Sequence, residues 1–239
     1  MPIIQLQNIS FSYSDKQILQ NFSIGIENNA LTCLLGSSGC GKTTILRLIA
    51  GLEIPDKGEI YIENKKVSTK GKIIIPPHQR NLGYIFQDLA LWPHFTIYDN
   101  IAFGLKERKT PEIKEKVFEI LEFFNLSEHY TKYPHQLSGG QKQLSALARS
   151  LVLKPKILLM DEPLSNLDVK LKQKMLAHIR NLKEKMSELS IIYVTHDHKE
   201  AFNIADKVVV LNKGKIEAEG SVAEIKKSEN EFVKYFLEY

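Results

Sequence analysis

A chain of 239 residues, 43% hydrophobic and 25% charged, has the composition of a soluble globular protein long enough to bury a sizeable core. That balance excludes collagen-like and disordered chains, and no apolar run approaches the roughly 20 residues that span a bilayer. The net charge of +4 comes from scattered lysines rather than blocks, which reads as a solvated surface and argues against a nucleic-acid partner.

The N-terminus, Met1-Pro2-Ile3-Ile4-Gln5, lacks the basic start and apolar core of a signal peptide. Residues 3–11 alternate apolar and polar, and Tyr13-Ser14-Asp15-Lys16 breaks the pattern. Short strands are expected at 22–26 and 31–35, then at 59–62 after the turn Pro55-Asp56-Lys57-Gly58. An irregular stretch ends at Pro76-Pro77, and 82–86 reads as a strand. Residues 96–133 read as helical, with Pro111 opening a helix whose face carries Ile113, Val117, Ile120, Leu121 and Phe124. Ser138 begins another helix. Residues 157–160 form an all-apolar strand, 168–187 a long amphipathic helix, and 191–194, 208–211 and 215–218 further strands before two short helices. Strands with intervening helices predict an α/β core, and the helical stretch 88–153 a second lobe.

The string Gly36-Ser37-Ser38-Gly39-Cys40-Gly41-Lys42-Thr43-Thr44 fits G-x-x-x-x-G-K-[ST]. It has the context that pattern needs: an apolar strand before it and an amphipathic helix, closed by Gly51, after it. Glycines let backbone N–H groups curl around phosphate oxygens, and the helix dipole adds partial positive charge. Lys42 would reach the β- and γ-phosphates of ATP, and the Thr43 hydroxyl would ligate Mg2+. The strand at 157–160 runs into Asp161-Glu162, where an open α/β sheet presents its ligand-binding edge. Asp161 would hold the hydration shell of Mg2+, and Glu162 would accept a proton from the attacking water. Leu137-Ser138-Gly139-Gly140-Gln141 places a serine and two small residues at a helix start, a second candidate anion site.

With these motifs in order, the chain resembles the nucleotide-binding subunit of an ATP-binding cassette (ABC) transporter along essentially its whole length. The string Leu137 to Gln141 matches the family signature. Tyr13 matches the A-loop aromatic that stacks on adenine, and Gln87 the Q-loop residue that touches Mg2+. Ser165-Asn166-Leu167-Asp168 resembles the D-loop, with Asp168 at the nucleotide. His196 matches the switch histidine at the γ-phosphate. The resemblance implies an α/β P-loop NTPase of ABC-ATPase fold: a mixed β core with a RecA-like lobe, an N-terminal antiparallel β subdomain and an inserted α-helical subdomain. It implies one domain over 1–239, with 1–87 and 154–239 as core and 88–153 as the helical subdomain.

The catalytic set carried over is Glu162, His196 and Lys42, with Thr43, Gln87 and Asp161 at the metal. ATP and Mg2+ are the expected cofactors. Two chains, identical or paralogous, would face head to tail, each ATP lying between one loop and the partner's Ser138, Gly139, Gly140 and Gln141. The string 90–105 resembles importers for sugars, polyamines, ferric iron and oxyanions, which implies membrane permeases, an extracytoplasmic solute-binding protein, and a place on the cytoplasmic face of the membrane. Many such subunits carry a β-rich regulatory domain after the cassette, which is not expected here. Leu144 stands where the family often has Arg, while Ser37 and Thr43 replace the commoner Pro and Ser; Thr43 keeps the hydroxyl. The other readings are an exporter ATPase, a soluble ABC ATPase of repair or translation, and a module that holds ATP without turnover. His78, His94, His129, His135, His178 and His198 read as packing, surface or interface residues. Neither Cys33 nor Cys40 suits a disulfide. Cys40, in the loop, is expected to react with alkylating reagents and to be shielded by ATP.

Overall fold

The computed structural model describes residues 2–238. Two long strands open the chain, β1 (Pro2–Tyr13) and β2 (Lys16–Glu27), joined through Ser14 and Asp15, with Ser14 at φ 49°. Next come β3 (Leu31–Gly36), α1 (Lys42–Ala50), β4 (Lys57–Ile62), β5 (Lys65–Thr69), β6 (Lys72–Ile73) and β7 (Leu82–Ile85). The helices α2 (Ile97–Glu107), α3 (Ile113–Phe123) and α4 (Gly139–Leu151) precede β8 (Ile157–Asp161) and α5 (Val169–Lys185). The chain continues with β9 (Ser190–Thr195), α6 (His198–Ile204), β10 (Lys207–Asn212), β11 (Lys215–Gly220), α7 (Val222–Lys226) and α8 (Glu231–Glu238).

The strands form two sheets. One is antiparallel, in the order β2-β1-β4-β5-β6; the other has the order β11-β10-β3-β9-β8-β7. In the second sheet every pairing but β10–β11 is parallel. Its central strands β3, β8 and β9 are buried at every position. Such strands must be apolar on both faces, which is why they read as continuous runs rather than alternations. The alternation is spatial instead. Leu158 and Met160 face the core shared with α2 to α6, while Ile157 and Leu159 face the core shared with α1 and the antiparallel sheet. Helix α1 therefore lies between the two sheets.

Three sequence expectations change. The stretch after residue 62 is not irregular, because β5 and β6 extend the antiparallel sheet at its edge. Pairing with β1 starts β2 at Lys16 rather than at residue 22. Helix α3 begins at Ile113, after Glu112 at φ 57°, so Pro111 precedes the helix rather than opening it.

Arg80 ties these layers together. It is 4% exposed, and its guanidinium donates to Leu48 O (3.2 Å) and Ile49 O (2.7 Å) at the end of α1. It also donates to Val67 O, Ser68 Oγ and Ile75 O. Burial draws its pKa down to about 10, which leaves it charged at neutral pH. Its positive charge sits at the negative end of the helix dipole. Gly51, at φ 78°, makes the room: a Cβ there would lie 2.5 Å from Arg80 Cζ. Arg80→Ala would leave a void and strand the carbonyls of Ile49 and Ile75, while Leu48 O and Val67 O keep backbone N–H donors. We expect a loss of about 3–5 kcal/mol in a denaturant titration. A loss below about 1 kcal/mol would show that the network contributes little.

Candidate functional site

Strand β3 ends at Gly36 and α1 starts at Lys42, so the intervening loop sits at the C-terminal edge of the parallel sheet. Gly39 and Gly41 adopt φ of 78° and 108°, conformations that fold the loop back over the α1 N-terminus. No acidic residue occupies the first turn of α1. The positive dipole end of α1 thus has no acidic side chain of its own turn competing for it and suits an anion. Lys42 is buried, and its ammonium donates to Gly36 O (2.8 Å) and Ser37 O (2.9 Å). A buried ammonium is costly unless its donors are used, and here the loop's own carbonyls take two of them.

The next strands bring the acidic groups. Parallel pairing sets Asp161 of β8 against Val194 of β9. Asp161 is 5% exposed; its Oδ1 accepts from the Thr43 hydroxyl (2.8 Å) and its Oδ2 from the Tyr84 hydroxyl (3.2 Å). Burial raises the Asp161 pKa, partly opposed by the hydrogen bonds from Thr43 and Tyr84. Burial beside that carboxylate likewise pushes the Tyr84 phenol up. Glu162 follows at φ 43°, outside the regions a glutamate normally adopts. Its N–H donates to Val194 O, which anchors this strained turn on β9. Its carboxylate then lies 3.9 Å from the Lys42 ammonium and 2.9 Å from His196 Nδ1. A carboxylate only accepts, so Nδ1 carries the proton that His196 shares with Glu162. Strain held at a functional turn is a recognised means of presenting a side chain.

Of these groups Lys42, Thr43 and Glu162 line a cavity of about 370 Å³, together with Tyr13, Ser38, Thr44 and Gln87; Asp161 and His196 are reached only through Thr43 and Glu162 and do not line it. Tyr13 stands 39% exposed, its hydroxyl donating to Glu53 (2.9 Å) and its ring edge-on to Phe11. The remaining sequence candidates lie elsewhere. Ser138 caps α4: its Oγ accepts from Gln141 N–H while Gln141 Oε1 accepts from Ser138 N–H. Asp168 caps α5 through Leu171 N–H (3.0 Å). None of Ser138, Gly139, Gly140, Gln141 or Asp168 lines the cavity.

Two readings are corrected. Cys40 is not an accessible loop thiol: it is 4% exposed and burial pushes its pKa up, so alkylation should be slow with or without nucleotide. His129 is more than packing, since its Nε2 lies 2.8 Å from Gln141 Nε2. Gln141 Oε1 is already taken by Ser138 N–H, so the amide nitrogen donates to the ring. No sequence signal links His129 to Gln141 across twelve residues.

A model of the ABC transporter family matches residues 19–165. The chain is 45% identical, over 99% of its length, to the spermidine/putrescine import ATP-binding protein PotA of Pasteurella multocida. It is 44% identical, over 98% of its length, to the trehalose/maltose import ATP-binding protein MalK of Thermococcus litoralis. It spans 63% and 64% of those relatives' own lengths. A crystal structure of a nucleotide-free ATP-binding cassette from an ABC transporter superposes with a TM-score of 0.84 at 28% identity, covering 99% of both chains. An ATP-binding cassette in its ADP conformation also gives 0.84, at 26% identity, covering 99% of this chain and 98% of that one. The strand order, the loop ahead of α1 and these matches agree: the fold is that of an ABC ATPase cassette, and the chain belongs to the ABC transporter family.

Proposed function

We propose that this chain is the ATP-binding and ATP-hydrolysing subunit of an ABC importer, working as one cassette domain with residues 88–153 as its helical subdomain. The observation that carries the reading is Glu162, held between the Lys42 ammonium and His196 at the mouth of the phosphate loop. The loop N–H groups and Lys42 bind the β- and γ-phosphates, while Tyr13 stacks on the base. Glu162 orients the attacking water and takes its proton as the water oxygen bonds to the γ-phosphorus and the bond to ADP breaks. His196 fixes the Glu162 carboxylate and reaches the γ-phosphate.

The Thr43 hydroxyl, the Asp161 carboxylate and the Gln87 amide are hard oxygen donors of the kind Mg2+ prefers, and the first two already meet at 2.8 Å. Bound there, Mg2+ would neutralise charge on the phosphate oxygens. A module that merely holds ATP has no use for a strained Glu162 paired to a histidine.

Ser138, Gly139, Gly140, Gln141 and Asp168 lie outside the cavity. They act on the ATP of a second copy or paralogous subunit, docked head to tail. Import is favoured because PotA and MalK are named import proteins. A groove of about 340 Å³ lined by Phe86, Trp92, Phe103 and Arg149 suits a membrane permease, with the Arg149 guanidinium 5.1 Å from the centre of the Trp92 ring. Among the described residues no helix is long and apolar enough to cross a membrane, so permease subunits would hold the chain at the cytoplasmic face. The deciding experiment is native co-purification from membranes with mass spectrometry, alongside an ATP turnover assay. Multi-span permeases with a solute-binding protein are expected. An active ATPase recovered without any membrane partner would overturn the importer reading.

A further inference from the structure

Behind His196 lies a buried polar cluster that the hydrolysis scheme leaves unused. Glu200, in the first turn of α6, is 4% exposed. Its Oε2 accepts from the Tyr193 hydroxyl (2.8 Å) and from the Thr195 hydroxyl (2.9 Å). Its Oε1 pairs with the Lys172 ammonium at 2.8 Å, and Lys172 stands 3.9 Å from Asp197. Thr195 Oγ1 in turn accepts from Asp197 N–H (3.0 Å), and Asp197 Oδ1 caps α6 through Lys199 N–H. The backbone is thus gripped on both sides of His196, at Thr195 and at Asp197, by one group of side chains centred on Glu200.

The other end of the grip is on α5. Lys172 lies one turn after Asp168, its N–H donating to Asp168 O (2.9 Å). Its neighbour Leu171 packs on the start of α4: a Cβ added at Gly140 would come within 2.9 Å of Leu171 Cδ1. The buried Glu200 carboxylate, with both oxygens taken, holds a single geometry, because displacing it would leave its charge unpaired in the interior; Lys172 and Asp197 meet it from the partly exposed side. We infer that Glu200 is a positioning residue for hydrolysis: through Thr195 and Asp197 it sets His196 against Glu162, and through Lys172 it ties that placement to the first turn of α5 and the Ser138–Gln141 start of α4.

This inference rests on the assignment of His196 to the hydrolysis site, and the test separates the two. Glu200→Gln keeps the volume and acceptors for the hydroxyls but loses the ion pair; Lys172→Gln removes the same pair from a partly exposed position that folding tolerates. Both are measured in the full chain for kcat and KM(ATP), singly and combined with His196→Ala. The expected result is a kcat lowered roughly tenfold or more with KM within about twofold, and no further loss when either change is added to His196→Ala. Equal fractional losses in the wild-type and His196→Ala backgrounds would show that Glu200 does not act through His196. Normal kcat in both single variants would likewise overturn the inference. Wild-type turnover by His196→Ala itself would overturn the site assignment beneath it.

Discussion

Glu162→Gln is expected to bind ATP as the unaltered chain does and to hydrolyse it roughly 10²–10⁴-fold more slowly, the range that a positioned general base contributes. The substitution keeps the length of the side chain and one oxygen to accept from His196, so the strained turn at φ 43° and its N–H bond to Val194 O should survive. What is lost is the oxygen that takes the water's proton. Lys42, 3.9 Å away, and the loop N–H groups still hold the phosphates. In the proposed head-to-tail arrangement ATP would then persist between two facing chains, so the variant is expected to elute as a dimer with ATP and as a monomer with ADP. Single-turnover kinetics and gel filtration read both effects. Turnover within about twofold of the unaltered chain would remove Glu162 from the chemistry.

Lys42→Ala should weaken ATP binding by roughly 10- to 150-fold, the equivalent of about 1.5–3 kcal/mol for a hydrogen bond made by a charged donor. Lys42 is buried at the start of α1, held by Gly36 O and Ser37 O and facing Glu162. Its ammonium is therefore already in place for the phosphates rather than recruited from solvent, and little of its binding energy goes into ordering the side chain. Titration calorimetry with ATP measures the effect, and a thermal melt of the same sample confirms that the variant is folded. An unchanged dissociation constant would mean that the phosphates lie elsewhere.

Much of the site was readable from single letters because its chemistry is local. A phosphate loop needs glycines, a lysine and a hydroxyl at fixed spacing, so residues 36–44 declared themselves, and Asp161-Glu162 did so at the end of an apolar run. The capping box joins Ser138 to Gln141, three positions apart, and was equally legible as a helix start. The edge strands β5 and β6 were not, since short strands gain most of their preference from the neighbour they pair with. Arg80 was illegible for the opposite reason. A lone arginine reads as surface, and only the meeting of α1, β5 and the segment before β7 supplies five neutral oxygens to bury it.

Cys40 shows how a correct motif can still mislead about exposure. Membership of the loop was right, but the loop folds that side chain inward against the core under α1. By itself, the sequence determined the family, the α/β alternation, the phosphate loop and the identity of the acidic pair, because each depends on residues adjacent in the chain. Only the tertiary structure decided that Glu162 meets both Lys42 and His196, that Gln141 meets His129, and that Glu200 joins α5 to α6 behind the site. Those contacts join residues up to 120 positions apart. The two contacts at Glu162 exist because parallel pairing brings the ends of β3, β8 and β9 to one edge of one sheet, a juxtaposition that no local motif encodes.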